Sequence, residues 1–537
     1  MLLKKHGIPL SAVSLDIQAT ESQHTLVSLN SNAPRNPASV IKLVTTLAAL
    51  EILGPAYQWH TRYFADGAIS NGVLNGDLVL QGGGDPFLTV DKFLHHVLSL
   101  RQRGIHTITG SLVIDNSLFD VANHDRARFD GQPSRLYNVE PDAALVNFSA
   151  TRFIIQPMQT NGETRIAVFA DPPLSGLVVE NNMKPQPGKC PKRNRGRNRG
   201  WSYELHKTGD QVIARFNGKY RSRCGQHAIA RSLFSNHEYT YRLFKYLWRM
   251  SGGAFDGGYK ITTARDGGSA NNVGNNYLPT ARDGGSANNV GNNYLPTARD
   301  DAMDGGGRAT HATKDGGGRA TQEAKAEEAK AEGGSADFAG AKNRPTDHAI
   351  AILSYPSEPL ADIIASINKY SNNVMARQLL LSLDAHRQQA QGQNQPATVA
   401  GGIAAINNWL SENVGIMPEL IIDNGAGLSR KTRITTANLT ALLQQGWRSN
   451  YRAEFLSSFS LAALDGTMKK RLRMSALPPG RARIKTGLIN RVRSMAGFVN
   501  ARDNKHYSVA MMIESKNVSF GNGNVIQDAV LEWIYNR

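Results

Sequence analysis

Ser39 and Lys42 stand three positions apart in the stretch Asn36-Pro37-Ala38-Ser39-Val40-Ile41-Lys42-Leu43. Residues at that spacing share one face of a helix, about one turn apart. A serine hydroxyl is a weak nucleophile until a neighbouring base takes its proton. A lysine amine can do so once burial and nearby positive charge keep it neutral. The chemistry this pair offers is acyl transfer through a serine ester. Ser-x-x-Lys alone is a sparse pattern, so its surroundings must decide.

The element that has to position the pair is a helix. Asn36 is a capping residue and Pro37 suits the first helical position, where a missing N–H costs nothing. Nothing interrupts the helix from Ala38 to Leu53, and Gly54-Pro55 ends it. That start places the Ser39 hydroxyl near the positive end of the helix dipole, which favours a developing anion. Lys42, Thr45, Thr46 and Glu51 break the apolar run Val40 to Leu53, so the helix is expected in the core rather than across a membrane.

The 537 residues suggest roughly two to four domains, and a hydrophobic share of 40% is enough to build cores. No apolar run reaches membrane-spanning length. The first residues, Met1 to His6, lack the apolar run of a signal peptide. The chain is therefore either cytosolic or written without an export signal. Cys190 and Cys224 flank one polar, basic segment, and both a bridge and two free thiols fit that placement. The net charge of +17 is concentrated at Lys184, Lys189, Lys192, Arg193, Arg195, Arg197 and Arg199, beside Trp201. A solvated basic loop is the expectation there; no nucleic-acid module accompanies the run, and no nucleic-acid partner is expected.

Along the chain, Val13, Leu15 and Ile17 alternate with Ser14 and Asp16 as in a strand. Tyr63 to Leu80 reads as strands joined by tight turns, and Gln81 to Pro86 as a glycine turn, since no Gly-Lys-Ser/Thr makes it a phosphate loop. Asp91 to Arg103 is expected to be helical, Thr107 to Phe119 extended, the span to about Ile229 mostly strands and loops, and His237 to Met250 helical. Thr263 to Pro279 is then repeated without change from Thr280 to Pro296, and Asp-Gly-Gly-Gly-Arg-Ala-Thr starts at Asp304 and again at Asp315. The stretch from about 260 to 345, with its Ala/Glu/Lys run from Glu323 to Glu332, is too polar and Gly/Asn-rich to form a core and is expected to be disordered. Folded character returns with a strand at Ala349 to Leu353 and helices at Leu360 to Lys369, Val374 to Asp384 and Gly402 to Val414. Leu420 to Arg430 reads as a strand with a glycine turn. Arg483–Thr486, Ser494–Asn500 and Tyr507–Ile513 read as adjacent antiparallel strands, and Asn524 to Tyr535 as a closing helix.

Three short motifs then fall in order: Ser39-Val40-Ile41-Lys42 at a helix start, Ser371-Asn372-Asn373 between helices, and Lys485-Thr486-Gly487 on an edge strand. Together they resemble the motif set of penicillin-binding proteins and serine β-lactamases. Gly84-Asp85-Pro86, Gly110 to Asp115, Gly425 to Arg430, Asp465-Gly466-Thr467 and the gap of about 330 residues between the first two motifs extend the resemblance. The chain is similar to the class C penicillin-binding proteins, the D-alanyl-D-alanine carboxypeptidase/endopeptidases of the penicillin-binding-protein-4 type, over nearly all its length except about 260–345.

The resemblance implies an α/β fold: a penicillin-binding, serine-β-lactamase-like domain with an antiparallel sheet flanked by helices and two nested, mainly-β or α+β inserted domains. The expected division is 1–62 and 346–537 for the catalytic domain, 63–250 for the inserted domains and 251–345 for the repeat-bearing insertion. It implies Ser39 as nucleophile, Lys42 as base and Ser371 as proton carrier to the leaving amine. Asn373 would hold the acyl-side amide, Lys485 and Thr486 a substrate carboxylate, and Gly487 would leave room for the substrate backbone. The N–H groups of Ser39 and Leu488 would form the oxyanion hole. The implied substrates are peptidoglycan stem peptides, with β-lactams as covalent inhibitors, in the periplasm, and no metal or organic cofactor. Leu488 stands where many such proteins carry Ser or Thr, Arg491 where glycine is common, and Asn147 where some offer an acidic contact to the stem diamino acid. A β-lactamase or esterase of the same superfamily, and a catalytically silent murein- or polyanion-binding protein, are the competing readings.

Overall fold

The computed structural model describes residues 1–121, 125–190, 200–264 and 349–537, with the backbone alone at 271–272. Lys192 to Arg199 and the repeats beyond Ala264 otherwise lie outside the described residues, so the expectations placed on them are not tested.

One six-stranded antiparallel sheet organises the two ends of the chain. Its strands are β1 (Val13–Ala19), β2 (Thr25–Leu29), β3 (Ser460–Leu461), β4 (Ala482–Ile489), β5 (Val492–Asn500) and β6 (His506–Glu514), in the spatial order β3-β4-β5-β6-β1-β2. The expected antiparallel trio is β4-β5-β6, in register from Ala482↔Val499 and Val492↔Glu514 onward. The alternation expected of a half-buried strand does not appear in β5 and β6, which are buried on both faces. Met495, Val499, Val509 and Met511 pack under the closing helix, whereas Ala496, Phe498, Ala510 and Met512 face the other layer. Helices on both sides explain continuous apolar strands.

That other layer is built from α1 (Lys42–Leu53), α2 (Leu360–Tyr370), α3 (Asn373–Ala390), α4 (Val399–Asn413) and α5 (Thr436–Arg448); α6 (Phe520–Tyr535) covers the opposite face. In α1, Leu43, Val44, Leu47 and Leu50 are fully buried, as a core helix requires. Each contributes about 1.5–3 kcal/mol of transfer free energy. Among the described residues no helix is long and apolar enough to cross a membrane.

The helix start differs from expectation. Ala38–Ile41 form one 3-10 turn, and the α-helix begins only at Lys42. Asn36 does not cap the helix: its Oδ1 accepts from the Ala38 N–H at 2.8 Å ahead of the turn, while its Nδ2 donates to Ser429 O at 2.9 Å. Pinned from both sides, the chain enters the turn with Ala38 at φ +45, a left-handed value no ordinary helix start needs.

Between α1 and α2 the chain builds further sheets. His60–Ser70 and Val73–Gln81 form one long hairpin, and His60–Ser70 also pairs with Ile350–Pro356, so this sheet crosses the divisions expected near 62 and 346. Two three-stranded sheets follow, Trp201–Thr208/Gln211–Arg221/Leu177–Gln186 and His227–Arg231/Thr151–Thr160/Glu163–Asp171. Cys190 and Cys224 are joined by a disulfide.

Two expectations need correction. Ala254–Phe255 and Tyr259–Thr262 are strands, the latter parallel to Leu112–Asp115, so ordered structure extends past 251 and 260. Phe255 and Ile261 are buried there, an apolar signal masked by glycine-rich neighbours. Leu420–Arg430 is not a strand: only an isolated Ile421↔Arg433 bridge forms. Its N–H groups are taken locally instead, with Asn424 Oδ1 accepting from Ala426 and Gly427 at 3.0 and 3.1 Å.

Candidate active site

The three motifs meet at the end of α1 nearest the sheet. Lys42 is completely buried. Its Nζ lies 3.1 Å from Ser39 Oγ and 2.6 Å from Asn373 Oδ1, and also contacts Ala426 O. Asn373 reaches it because α2 stops at Ser371, whose φ of +59 turns the chain left-handed before α3 starts. Asn372 caps α3 by accepting from Met375 N at 3.1 Å.

Proton counting on Lys42 is informative. Asn373 Oδ1 and the Ala426 carbonyl can only accept, so they use both N–H bonds of a neutral amine. The lone pair is then left for the third neighbour, the Ser39 hydroxyl. Lys42 is held well below its ordinary lysine value, first by burial and then by the positive charges of Lys485 and Arg377. Arg377 stands one turn beyond Asn373 on α3 and donates to Val139 O at 3.1 Å. Burial lowers its own pKa, while Glu140 and Asp423 oppose that shift.

β4 closes the other side. Lys485 is fully buried, and its Nζ donates to Ser371 Oγ and to Thr486 O, both at 2.9 Å. Burial pushes its amine down to about 7. Strand register determines what β4 shows to the cleft. Ala482 O accepts from Ala462 N on the β3 side, so alternate residues Ile484, Thr486 and Leu488 turn their main-chain groups away from β5. β3 pairs only as far as Ile484, which leaves the edge at Thr486 and Leu488 open.

Gly487 serves the fold itself. A Cβ there would stand 2.1 Å from Ser494 Oγ, 2.5 Å from Pro37 O and 3.1 Å from Ser39 N. The missing Cβ therefore lets β4 lie against the Ser39 turn, a role in the fold that the motif did not suggest. Ser494 Oγ donates to Pro37 O in the same place. Gly487→Ala is expected to push the turn away from β4 and slow acylation by a labelled penicillin about 10²-fold, the scale of a 1 Å misplacement. Stopped-flow acylation at unchanged wild-type rate would rule this out.

All eight expected site residues lie on these elements: Ser39, Lys42, Ser371, Asn373, Lys485, Thr486, Gly487 and Leu488. Asn147 is turned inward, 8% exposed, with its Nδ2 donating to Ala150 O and Tyr239 Oη at 3.0 and 2.9 Å. Arg491 adopts φ +66 in the β4–β5 turn, which accounts for glycine being common there. Motif reading missed the Ala426 carbonyl, Arg377 and Ser494. Arg377 carried a usable signal, four positions after Asn373 and thus on the same helix face.

Against known proteins, the sequence profile described as the D-Ala-D-Ala carboxypeptidase 3 (S13) family matches residues 2–273 and 319–536. The D-alanyl-D-alanine carboxypeptidase DacB of Haemophilus influenzae is 38% identical over 89 residues, 17% of this chain and 18% of that protein. A D-alanyl-D-alanine carboxypeptidase of Actinomadura sp. strain R39 is 36% identical over 84 residues, 16% of each. The matched segments thus span less than a fifth of either relative. The crystal structure of penicillin binding protein 4 from H. influenzae superposes with a TM-score of 0.66 at 16% identity, covering 99% of this chain and 98% of that one. The fold is shared, as expected from the motifs: α/β, a penicillin-binding domain with inserted domains.

Proposed function

The chain belongs to the D-Ala-D-Ala carboxypeptidase 3 (S13) family, and from that membership we propose that it is a serine peptidase removing the terminal D-alanine of peptidoglycan stem peptides. On this reading it also cuts D-Ala crosslinks and is acylated by β-lactams. The single observation that carries the reading is the buried Lys42 amine, its Nζ 3.1 Å from Ser39 Oγ and also bonded to the acceptor-only oxygens of Asn373 and Ala426, an arrangement that leaves a neutral amine's lone pair for the serine proton.

As Ser39 Oγ attacks the penultimate carbonyl carbon, its proton passes to Lys42 Nζ. The oxyanion is met by the N–H groups of Ser39 and Leu488. The new ammonium lies in the field of Lys485 and Arg377, which favours giving the proton up again. Ser371 passes a proton to the leaving nitrogen and is refilled from the lysines, so the net transfer runs from Ser39 to the amine as the C–N bond breaks. Asn373 holds the acyl-side amide, and Lys485 with Thr486 the terminal carboxylate. Water then cleaves the ester.

The domain division is part of the same proposal: the two ends of the chain form a catalytic domain around inserted domains, with the junctions outside the sheet that joins His60–Ser70 to Ile350–Pro356 rather than at 62 and 346. The periplasm is the place where such substrates occur. The test is D-alanine release from a stem pentapeptide, which should require Ser39. A folded protein that leaves the pentapeptide intact but rapidly turns over a chromogenic cephalosporin would make it a β-lactamase instead.

A further inference from the structure

β4 offers a terminal carboxylate only one side-chain hydroxyl at its open edge, because Leu488 follows Thr486 there. A second hydroxyl stands beside the first. Thr467 is exposed, and its Oγ1 accepts from Thr486 Oγ1 at 2.9 Å. The short strand β3 ends opposite Ile484, and the 3-10 turn Gly466–Met468 reaches Thr486 through the Thr467 side chain, leaving the main-chain edge open.

That turn is fixed with unusual completeness for an exposed one. Thr467 N donates to Ser460 Oγ at 3.2 Å, and the two hydroxyl oxygens are also 3.2 Å apart. Ser460 Oγ in turn donates to Lys369 O at 3.1 Å. Asp465 is gripped twice, by Lys369 Nζ at 2.5 Å and by Leu461 N at 2.7 Å. A Cβ at Gly466 would meet Ser460 Oγ at 2.4 Å and Lys369 O at 2.6 Å, so the chain can lie this close only with glycine. The anchor at Lys369 is two residues from Ser371, which ties the turn to the motif loop.

Donor counting gives the turn a purpose. A carboxylate can only accept, and Thr486 has one proton, here directed at Thr467 Oγ1. With the Ser460 proton on Lys369 O, the Thr467 O–H has Ser460 Oγ as its acceptor at 3.2 Å; turned from there toward Thr486 it releases the Thr486 proton to the carboxylate, and turned outward it reaches the second carboxylate oxygen itself. Either way the pair supplies what Thr486 and Leu488 cannot supply alone.

We propose that Thr467 is a positioning residue for the substrate's terminal carboxylate, forming with Thr486 a two-hydroxyl clamp beside Lys485. This deepens the acyl-transfer reading and rests on it. The test compares Thr467→Val and Thr467→Ser on a D-Ala-D-Ala peptide with a free C-terminus and on the same peptide as its C-terminal amide. Thr467→Val should raise KM for the free acid about tenfold, the scale of one hydrogen bond to a charged group. It should leave kcat within about twofold and the amide unaffected, and Thr467→Ser should restore KM. An unchanged KM for the acid would overturn the clamp. Equal losses on acid and amide would also overturn it, since they mark a merely structural turn. A wild-type protein that releases no D-alanine defeats the acyl-transfer reading, and this proposal with it.

Discussion

Lys42→Met is expected to slow acylation by a labelled penicillin by about 10³–10⁴-fold, near the upper end of what a positioned general base contributes. Methionine has similar length and keeps the apolar stem among residues of the α1 core, so the fold should survive by circular dichroism. What disappears is the only base in contact with Ser39 Oγ among the described residues. Asn373 Oδ1 and Ala426 O lose their donor as well. Those two oxygens belong to amide carbonyls, which are far too weakly basic to take a serine proton at neutral pH. A Lys42→Met protein that acylates at the wild-type rate would assign the proton transfer elsewhere, with Ser371 and Lys485 the remaining candidates.

The second large effect is a bell-shaped pH profile whose alkaline limb depends on the substrate's carboxylate. Lys485 has its amine pushed down to about 7 by burial, so it is cationic below that pH and neutral above it. A carboxylate is held only by the cation. The kcat/KM for a free-acid peptide, which reports groups of the free enzyme, should therefore fall about tenfold per pH unit above about 7. The C-terminal amide should show no such limb. The acid limb has the opposite origin: Lys42 must be neutral to act as base, and its depressed value keeps it so until well below the ordinary lysine range. Folding stability responds with the opposite sign on the alkaline side. From about pH 7 up to the unfolded lysine value, the unfolded chain binds the extra proton, so stability rises with pH while carboxylate binding weakens. A profile flat above pH 7 for the acid, or identical limbs for acid and amide, would remove Lys485 from the carboxylate site.

The sequence was most legible where residue type alone decides the outcome. A hydroxyl and an amine three positions apart, ahead of a long apolar helix, do meet in the fold, with Lys42 Nζ 3.1 Å from Ser39 Oγ, although that spacing alone was too sparse to single them out without the two later motifs. The paired strands β4, β5 and β6 were legible from their apolar content. What stayed hidden depends on long-range closure. The left-handed Ala38 has no local signature, because its conformation is imposed by Asn36 bonding to Ser429, 393 positions away. The stretch from Leu420 to Arg430 has strand-like residues, yet it gives its carbonyls to Lys42 and Thr45 rather than to a ladder. Helix α5 was overlooked although its marks were present, with Thr435 accepting from Asn438 N and Leu439, Leu442 and Leu443 fully buried on one side. Gly487 was expected to leave room for the substrate backbone, and only the structure shows that its missing Cβ also makes room for Pro37 and Ser494.

The central claim is that Ser39, activated by Lys42, forms the acyl-enzyme. Incubating the protein with a labelled penicillin, digesting it and mapping the modified peptide by mass spectrometry tests that claim most directly. The expected result is one adduct per chain on Ser39, stable enough to isolate and absent from Ser39→Ala. An adduct on another residue, one that persists in Ser39→Ala, or no adduct on folded protein would contradict it.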